Sequence, residues 1–206
     1  MFQIDLENIS KRFVREWIIK GCNYSFESGN AYAITGPNGS GKSSFAQLLT
    51  GYSTPTSGKI TFRQNNEVLE VEKVYQYLSF ASPYMELIEE FTLMELLNFH
   101  FKMRAPLQNV QVADLPELIQ LSRARDKEIR NFSSGMKQRL KLGLAFYTKS
   151  ELIILDEPTT NLDETGVQWY LERIREFKND KLLIICSNQE REYQFCDKKL
   201  NLLDWK

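Results

Sequence analysis

Cysteine is sparse in this chain of 206 residues, and the three present, Cys22, Cys186 and Cys196, are scattered and odd in number. They lack the paired spacing of a metal cluster and suggest no disulfide framework, so they read as reduced cytosolic thiols, two of them in or near the core. No apolar run approaches the roughly 20 residues of a membrane span. Work at a membrane would therefore need another chain to supply the membrane part. The N-terminal MFQIDLENIS lacks a basic start followed by an apolar run, so no secretion signal is expected. Internal repeats and low-complexity segments are also absent. Charge of one sign is missing too: 26 Lys and Arg stand against 27 Asp and Glu, a formal net charge of −1. That leaves no global basic field, and no direct nucleic-acid partner is expected. Histidine is nearly absent; His100 is the one imidazole.

What is present suits a globular protein, with 42% hydrophobic and 26% charged residues. The length fits one large domain at roughly 150 residues per domain, and it is enough to bury a substantial core. Phe2, Ile4 and Leu6 alternate with polar residues as in a half-buried strand. AYAIT, from Ala31 to Thr35, is a short apolar strand running into a glycine-rich turn. Phe45, Leu48 and Leu49 then fall at helical spacing, and Gly51 suits the helix's C-terminal cap. Turn residues at 54–58 precede a strand over 59–62. Thr92 and Glu95 form a capping box, and Asp114, Pro116 and Glu117 mark another helix start. The stretch 83–130 therefore reads as a helical insertion. Beyond it come a helix over 135–147, a strand over 152–155, a helix over 164–177 and a strand over 182–186. That alternation predicts a mainly parallel sheet covered by helices, an α/β fold.

The sharpest chemical signal is GPNGSGKS: Gly36, Pro37, Asn38, Gly39, Ser40, Gly41, Lys42 and Ser43, followed by Ser44. It satisfies the phosphate-loop pattern of Gly, four residues, then Gly-Lys-Ser. The glycines let the backbone fold so that several N–H groups converge on phosphate oxygens. The helix that follows aims its positive end at the same place. Lys42 neutralises β and γ phosphate charge, and the Ser43 hydroxyl can ligate Mg²⁺. Such a pattern arises by accident in on the order of one chain in a hundred. Its place between an apolar strand and an amphipathic helix makes accident rarer still.

The second signal is ELIILDEP, residues 151–158: four apolar residues of a buried strand with acids at its carboxyl end. In an open parallel sheet ligands bind at that end. Asp156 would hold the Mg²⁺ shell, and Glu157 would take a proton from the attacking water. The third, NFSSGMKQR at 131–139, is a Ser/Gly-rich helix start. Such a start either caps its own helix or offers N–H groups and a hydroxyl to an anion.

The order GPNGSGKS, FSSGMKQR, LIILDEP and then NLD at 161–163 resembles the ABC ATPase family over nearly the whole chain. FSSGM is similar to that family's LSGGQ signature, departing from it at Phe132, Ser134 and Met136. The resemblance implies a P-loop NTPase core with a mainly parallel sheet, an N-terminal antiparallel β subdomain and an inserted helical subdomain at 83–130, all within one domain of residues 1–206. It implies that Phe13, in the lead-in KRF, stacks on adenine, with Trp17 as the alternative. It also implies nucleotide contacts from Ser133 and Gly135 of the signature and from Asp163 of the D-loop. Two family residues are missing. The glutamine that touches Mg²⁺ and water is replaced at Ser82 or Pro83, Gln76 coming too early. The switch histidine is replaced by Asn188, which can donate a hydrogen bond to a γ phosphate but carries no charge. Binding is therefore expected to be intact, and hydrolysis slow.

By the same resemblance two chains face each other head to tail around two ATP, each with Mg²⁺. The implied partners are a second copy or a paralogous subunit, and an integral membrane transporter subunit. Membrane contact could fall on Tyr84, Met85, Leu87, Ile88, Phe91, Phe99, Phe101 and Met103, residues that equally suit internal packing. The implied location is cytoplasmic, peripheral on the inner face of the membrane. Length and compactness resemble small exporter-type subunits, those of the heme-exporter kind among them. A soluble nucleotide-sensing regulator, or a non-transport ABC ATPase with weak hydrolysis, is the alternative; Asn188 and the missing glutamine favour it, and Glu157 argues against it.

Overall fold

In chain order the regular elements are β1 (Phe2–Phe13), β2 (Glu16–Glu27), β3 (Ala31–Thr35), α1 (Lys42–Leu49), β4 (Ser57–Gln64), β5 (Glu67–Leu69), β6 (Leu78–Ala81), α2 (Leu93–Met103), α3 (Leu115–Leu118), α4 (Ser134–Tyr147), β7 (Leu152–Asp156), α5 (Glu164–Phe177), β8 (Leu182–Cys186), α6 (Glu190–Tyr193) and β9 (Lys198–Asn201). The computed structural model describes residues 1–14, 16–178 and 180–206. Two compact units result. One holds Met1–Phe80, Ser150–Glu157 and Arg175–Lys206; the other holds Ala81–Lys149 and Pro158–Ile174.

The first unit contains two sheets. A four-stranded sheet has the order β2-β1-β4-β5, and its pairs are antiparallel. Asn65 and Asn66, both at positive φ, make the tight turn between β4 and β5, as two-residue hairpin loops of asparagine do. The second sheet has five strands in the order β6-β7-β8-β3-β9, with β7, β8, β3 and β9 parallel. Central strands β7 and β8 are buried at every residue, which is why LIILD and LLIIC read as unbroken apolar runs. Helix α1 packs with residues of both sheets in one core: Phe45, Leu48 and Leu49 join Ile4, Ile19 and Phe26 on one side and Ile34, Ile154 and Ile184 on the other. Each of those three helix side chains is fully buried, worth roughly 1.5–3 kcal/mol apiece. The helix ends where Gly51 takes φ 76°, the left-handed cap the sequence suggested.

The second unit is helical, with its own core. Phe146 of α4 packs against Trp169 and Tyr170 of α5 at ring-centroid distances of 5.8 and 6.3 Å. The Trp169 indole N–H donates to the Leu118 carbonyl at 2.9 Å. The capping box at the start of α2 is formed in full: Glu95 N–H donates to Thr92 Oγ1, and Thr92 N–H donates to the Glu95 carboxylate. Helices between 83 and 130 are short. Helix α2 stops at Arg104, which is extended and stands two residues before Pro106. Helix α3 lasts four residues, because Gln120 turns left-handed at φ 57° just beyond it. Among the described residues no helix is long and apolar enough to cross a membrane.

Candidate functional site

Three parallel strands of the first unit end level, and the expected chemistry lies beyond those ends. Cys186 of β8 pairs with Asp156 of β7 on one side and with Ile34 of β3 on the other. One residue past Asp156 stands Glu157, two past Cys186 stands Asn188, and two past Ile34 the phosphate loop begins. This is the carboxyl end of a parallel sheet, where ligands bind. The buried Cys186 thiol is pushed well above its ordinary range, by burial first and by the Asp156 carboxylate second, with Lys42 opposing. It is a packing residue.

Gly41 shows why the loop has its composition. It caps α1 at φ 103°, and a Cβ there would come within 2.2 Å of Ile18 Cγ2. Any other residue would push β2 and the loop apart. Having no side chain, Gly41 leaves the amides of the first turn of α1 uncapped, so their N–H groups and the positive helix end suit an anion. Pro37, Asn38 and Gly39 are exposed, whereas Ser40 and Lys42 are buried. The Lys42 ammonium has a second duty that the sequence did not disclose. It donates to the carbonyls of Gly36 and Pro37, at 3.0 and 3.2 Å, and so holds the loop in shape.

Donor chemistry here fits Mg-ATP. Asp156 is 1% exposed at the end of β7, a position costly for a carboxylate unless it meets cations. Ser43 and Ser44 are half-buried in the first turn of α1. Among the described residues no three His, Cys, Asp or Glu side chains form a metal cluster. A hydroxyl and one carboxylate would hold Mg²⁺ together with phosphate oxygens, the usual arrangement for this ion.

Glu157 is half-buried and takes φ 44°, a left-handed conformation uncommon for this residue type. Its N–H donates to the Cys186 carbonyl at 2.9 Å, which fixes the acid beside β8. Ser187 N–H donates to the Ile34 carbonyl at 3.1 Å, fixing the chain just before Asn188. The Asn188 side-chain amide in turn donates to Asn38 Oδ1 at 2.8 Å. Phe13 sits at the end of β1, 47% exposed, with Lys11 Nζ over its ring at 5.0 Å. Its cross-strand partner is Glu16, whereas Trp17 pairs with Arg12.

The signature residues lie in the second unit. Ser133 caps α4, its Oγ accepting the Met136 N–H at 3.2 Å, so the self-capping reading holds. The hydroxyl proton remains free to donate. A Cβ on Gly135 would come within 2.8 Å of the Asn161 carbonyl, so glycine there lets the NLD segment approach. Asp163 accepts from Gly166 N–H at 2.8 Å, holding the start of α5, and from Arg139 at 3.3 Å. Ser133, Gly135, Arg139, Asn161 and Asp163 line one cavity of about 770 Å³. Ser82 is buried in a local turn, its Oγ accepting the Tyr84 N–H at 3.4 Å, and the Pro83 carbonyl accepts from Lys141 at 2.6 Å. Gln76 is exposed in the 3₁₀ turn Val71–Gln76. His100 packs within the second unit: its Nε2 meets Thr148 Oγ1 at 2.8 Å, and burial lowers its pKa to about 4.

Comparison with known proteins shows the family and the fold. The ABC transporter family profile matches residues 19–160. The linearmycin resistance ATP-binding protein LnrL of Bacillus subtilis is 31% identical over 206 residues, covering 98% of this chain and 66% of that protein. The lantibiotic transport ATP-binding protein SrtF of Streptococcus pyogenes is 30% identical, covering 90% of this chain and 79% of its own length. The chain spans about two thirds of the length of several curated relatives it matches. Among solved structures, the dimeric structure of a bacterial ABC transporter cassette superposes with a TM-score of 0.79 at 20% identity, covering 97% of this chain and 94% of that one.

Proposed function

This chain belongs to the ABC transporter family of ATP-binding proteins, and from that premise we propose that it hydrolyses ATP to drive a separate membrane subunit of an exporter. The observation that carries this reading is the levelled end of β7, β8 and β3, which presents Asp156, Glu157, Asn188 and the phosphate loop at the carboxyl end of the parallel strands. A relative named as a Nod factor export ATP-binding protein, 30% identical over 200 residues, supports the exporter class.

The division of labour follows from the residues. Lys42 and the first-turn amides of α1 receive the β and γ phosphate oxygens. Phe13 takes the adenine ring. Mg²⁺ bound at Ser43 and Asp156 would neutralise charge on those oxygens. Glu157 accepts the proton of the attacking water, and Asn188 donates to a γ phosphate oxygen without carrying charge. One phosphate loop leaves a face of the γ phosphate open. In a head-to-tail pair, Ser133 and Gly135 at the start of α4 close that face for the opposite copy, with Asp163 beside them. ATP thereby joins the pair and hydrolysis releases it. The partner is a second copy or a paralogue.

Membrane attachment is proposed through the 84–103 segment, where Tyr84, Met85, Ile88, Phe99 and Met103 are exposed. The chain then lies peripherally on the cytoplasmic face of the membrane. The test is Glu157→Gln, which removes the base and keeps the phosphate clamp. Size-exclusion chromatography with Mg-ATP is expected to show a stable dimer. A variant that stays monomeric at saturating Mg-ATP refutes self-pairing and leaves the paralogue. Capture from detergent-solubilised membranes is expected to bring down a multi-span protein, and its absence overturns the membrane assignment.

A further inference from the structure

Asn188 and Asn38 lie 150 residues apart and meet through their side chains. The backbone around Asn188 is already fixed. Ser187 N–H is bonded to the Ile34 carbonyl, and Gln189 N–H donates to Ser187 Oγ at 2.8 Å. What the backbone does not fix is the rotamer of a short, exposed side chain, which has several staggered states open to it. Asn38 selects among them, because its Oδ1 accepts the Asn188 amide at 2.8 Å. Asn38 itself is an exposed residue of the phosphate loop, at a position the loop pattern leaves unspecified.

We infer that Asn38 is the positioning residue for Asn188, holding the switch-position amide at the phosphate loop so that the pair meets the γ phosphate as one uncharged unit. This deepens the reading of Asn188 given above and rests on it. An exposed bond between neutral amides contributes little to global stability, so its consequence is orientation. The mutual bond uses one amide N–H and leaves the other amide hydrogens free, a donor-rich rim suited to phosphate oxygens. A lone asparagine here would reach the phosphate in only a fraction of its rotamers. The paired one is preorganised.

The experiment is a double-mutant cycle on the full chain: Asn38→Ala, Asn188→Ala and the double variant. The readouts are steady-state phosphate release at saturating Mg-ATP and direct nucleotide binding. Each single change is expected to lower kcat by about tenfold, and the double by no more than either single, since residues that act as a unit are non-additive. Nucleotide affinity stays within about threefold, as Lys42 and the backbone amides of the phosphate loop remain. Asn38→Asp keeps an acceptor for Asn188 but places a negative charge near phosphate, so it lowers kcat less than Asn38→Ala does while raising KM more. A merely structural role would not split the two parameters in that way. Independently of hydrolysis, the Asn188 side-chain NH₂ resonances, identified by their loss in Asn188→Ala, are expected to shift and to exchange faster with water in Asn38→Ala. Unchanged resonances overturn the inference. So does multiplication of the two single effects in the double variant. A parent that binds no Mg-ATP removes the nucleotide reading instead, and the resonances still decide whether Asn38 orients Asn188.

Discussion

Lys42→Ala is expected to abolish Mg-ATP binding and, separately, to lower the thermal midpoint of the nucleotide-free protein. The two effects have different sources in the structure. The ammonium is buried, at 5% residue exposure, and donates to the Gly36 and Pro37 carbonyls. Hydrogen bonds from a charged donor contribute roughly 1.5–3 kcal/mol each. Pro37 is exposed and its carbonyl regains water in the variant, so the sum falls near about 1.5–3 kcal/mol for the pair. At roughly 2–4 °C per kcal/mol for a chain of this size, the midpoint drops by about 3–12 °C. Binding loses the cation that faces the β and γ oxygens, two charge-assisted contacts of about 3–6 kcal/mol together, or roughly 10²–10⁴-fold in affinity. Differential scanning calorimetry without nucleotide and titration calorimetry with Mg-ATP separate the two. Lys42→Met adds a control, since it keeps the buried stem and loses only the donors. If the midpoint falls in alanine but not in methionine, packing and not the carbonyl tether is responsible. Nucleotide affinity within about threefold of the parent refutes the site.

Asn188→His is expected to speed steady-state phosphate release, because general acid–base and orienting contributions of about 10²–10⁴-fold leave room for a measurable gain; a fast parent matched by Asn188→Ala would remove position 188 from the chemistry. His100 gives a pH dependence of stability. Its folded pKa is lowered to about 4, by burial first and by Arg104 second, against about 6.5 when unfolded. The unfolded chain therefore binds more protons between those values, so this contribution is full above about pH 6.5 and is lost as pH falls towards 4. Thermal midpoints at pH 7 and pH 5 are expected to differ less in His100→Gln than in the parent. Equal differences would show that His100 is not held neutral.

Much of the parallel sheet was legible because its strands are short apolar runs with no competing period. The strands Ala31–Thr35 and Leu182–Cys186 and the helix Glu164–Phe177 have the bounds read from the sequence, and β7 extends one residue further, through Asp156. The long hairpin was less legible. In β2 the buried residues are Ile19, Cys22 and Phe26, because register shifts against β1 break the alternation. The N-terminal antiparallel sheet was thus expected from family resemblance and not from periodicity. Within 83–130 the two helix starts were legible from their caps, whereas the stops, at Arg104 ahead of Pro106 and at a left-handed Gln120, were not. At the site, the phosphate loop and the acids at the end of β7 announced themselves by residue type. The Lys42 tether to two carbonyls did not, and neither did the Asn188–Asn38 bond. Each depends on a partner that local sequence does not specify, and surface amides carry no hydrophobic signal to mark them.

Glu157 sits in a left-handed backbone conformation that costs about 1–2 kcal/mol for a residue with a side chain. Asparagine and glycine tolerate that geometry far better. On the proposed role of Glu157 as the base, selection for heat resistance alone would favour a residue other than an acid at position 157, and selection for turnover would oppose it. Lineages that kept nucleotide binding but abandoned hydrolysis would be expected to show the exchange first at this position.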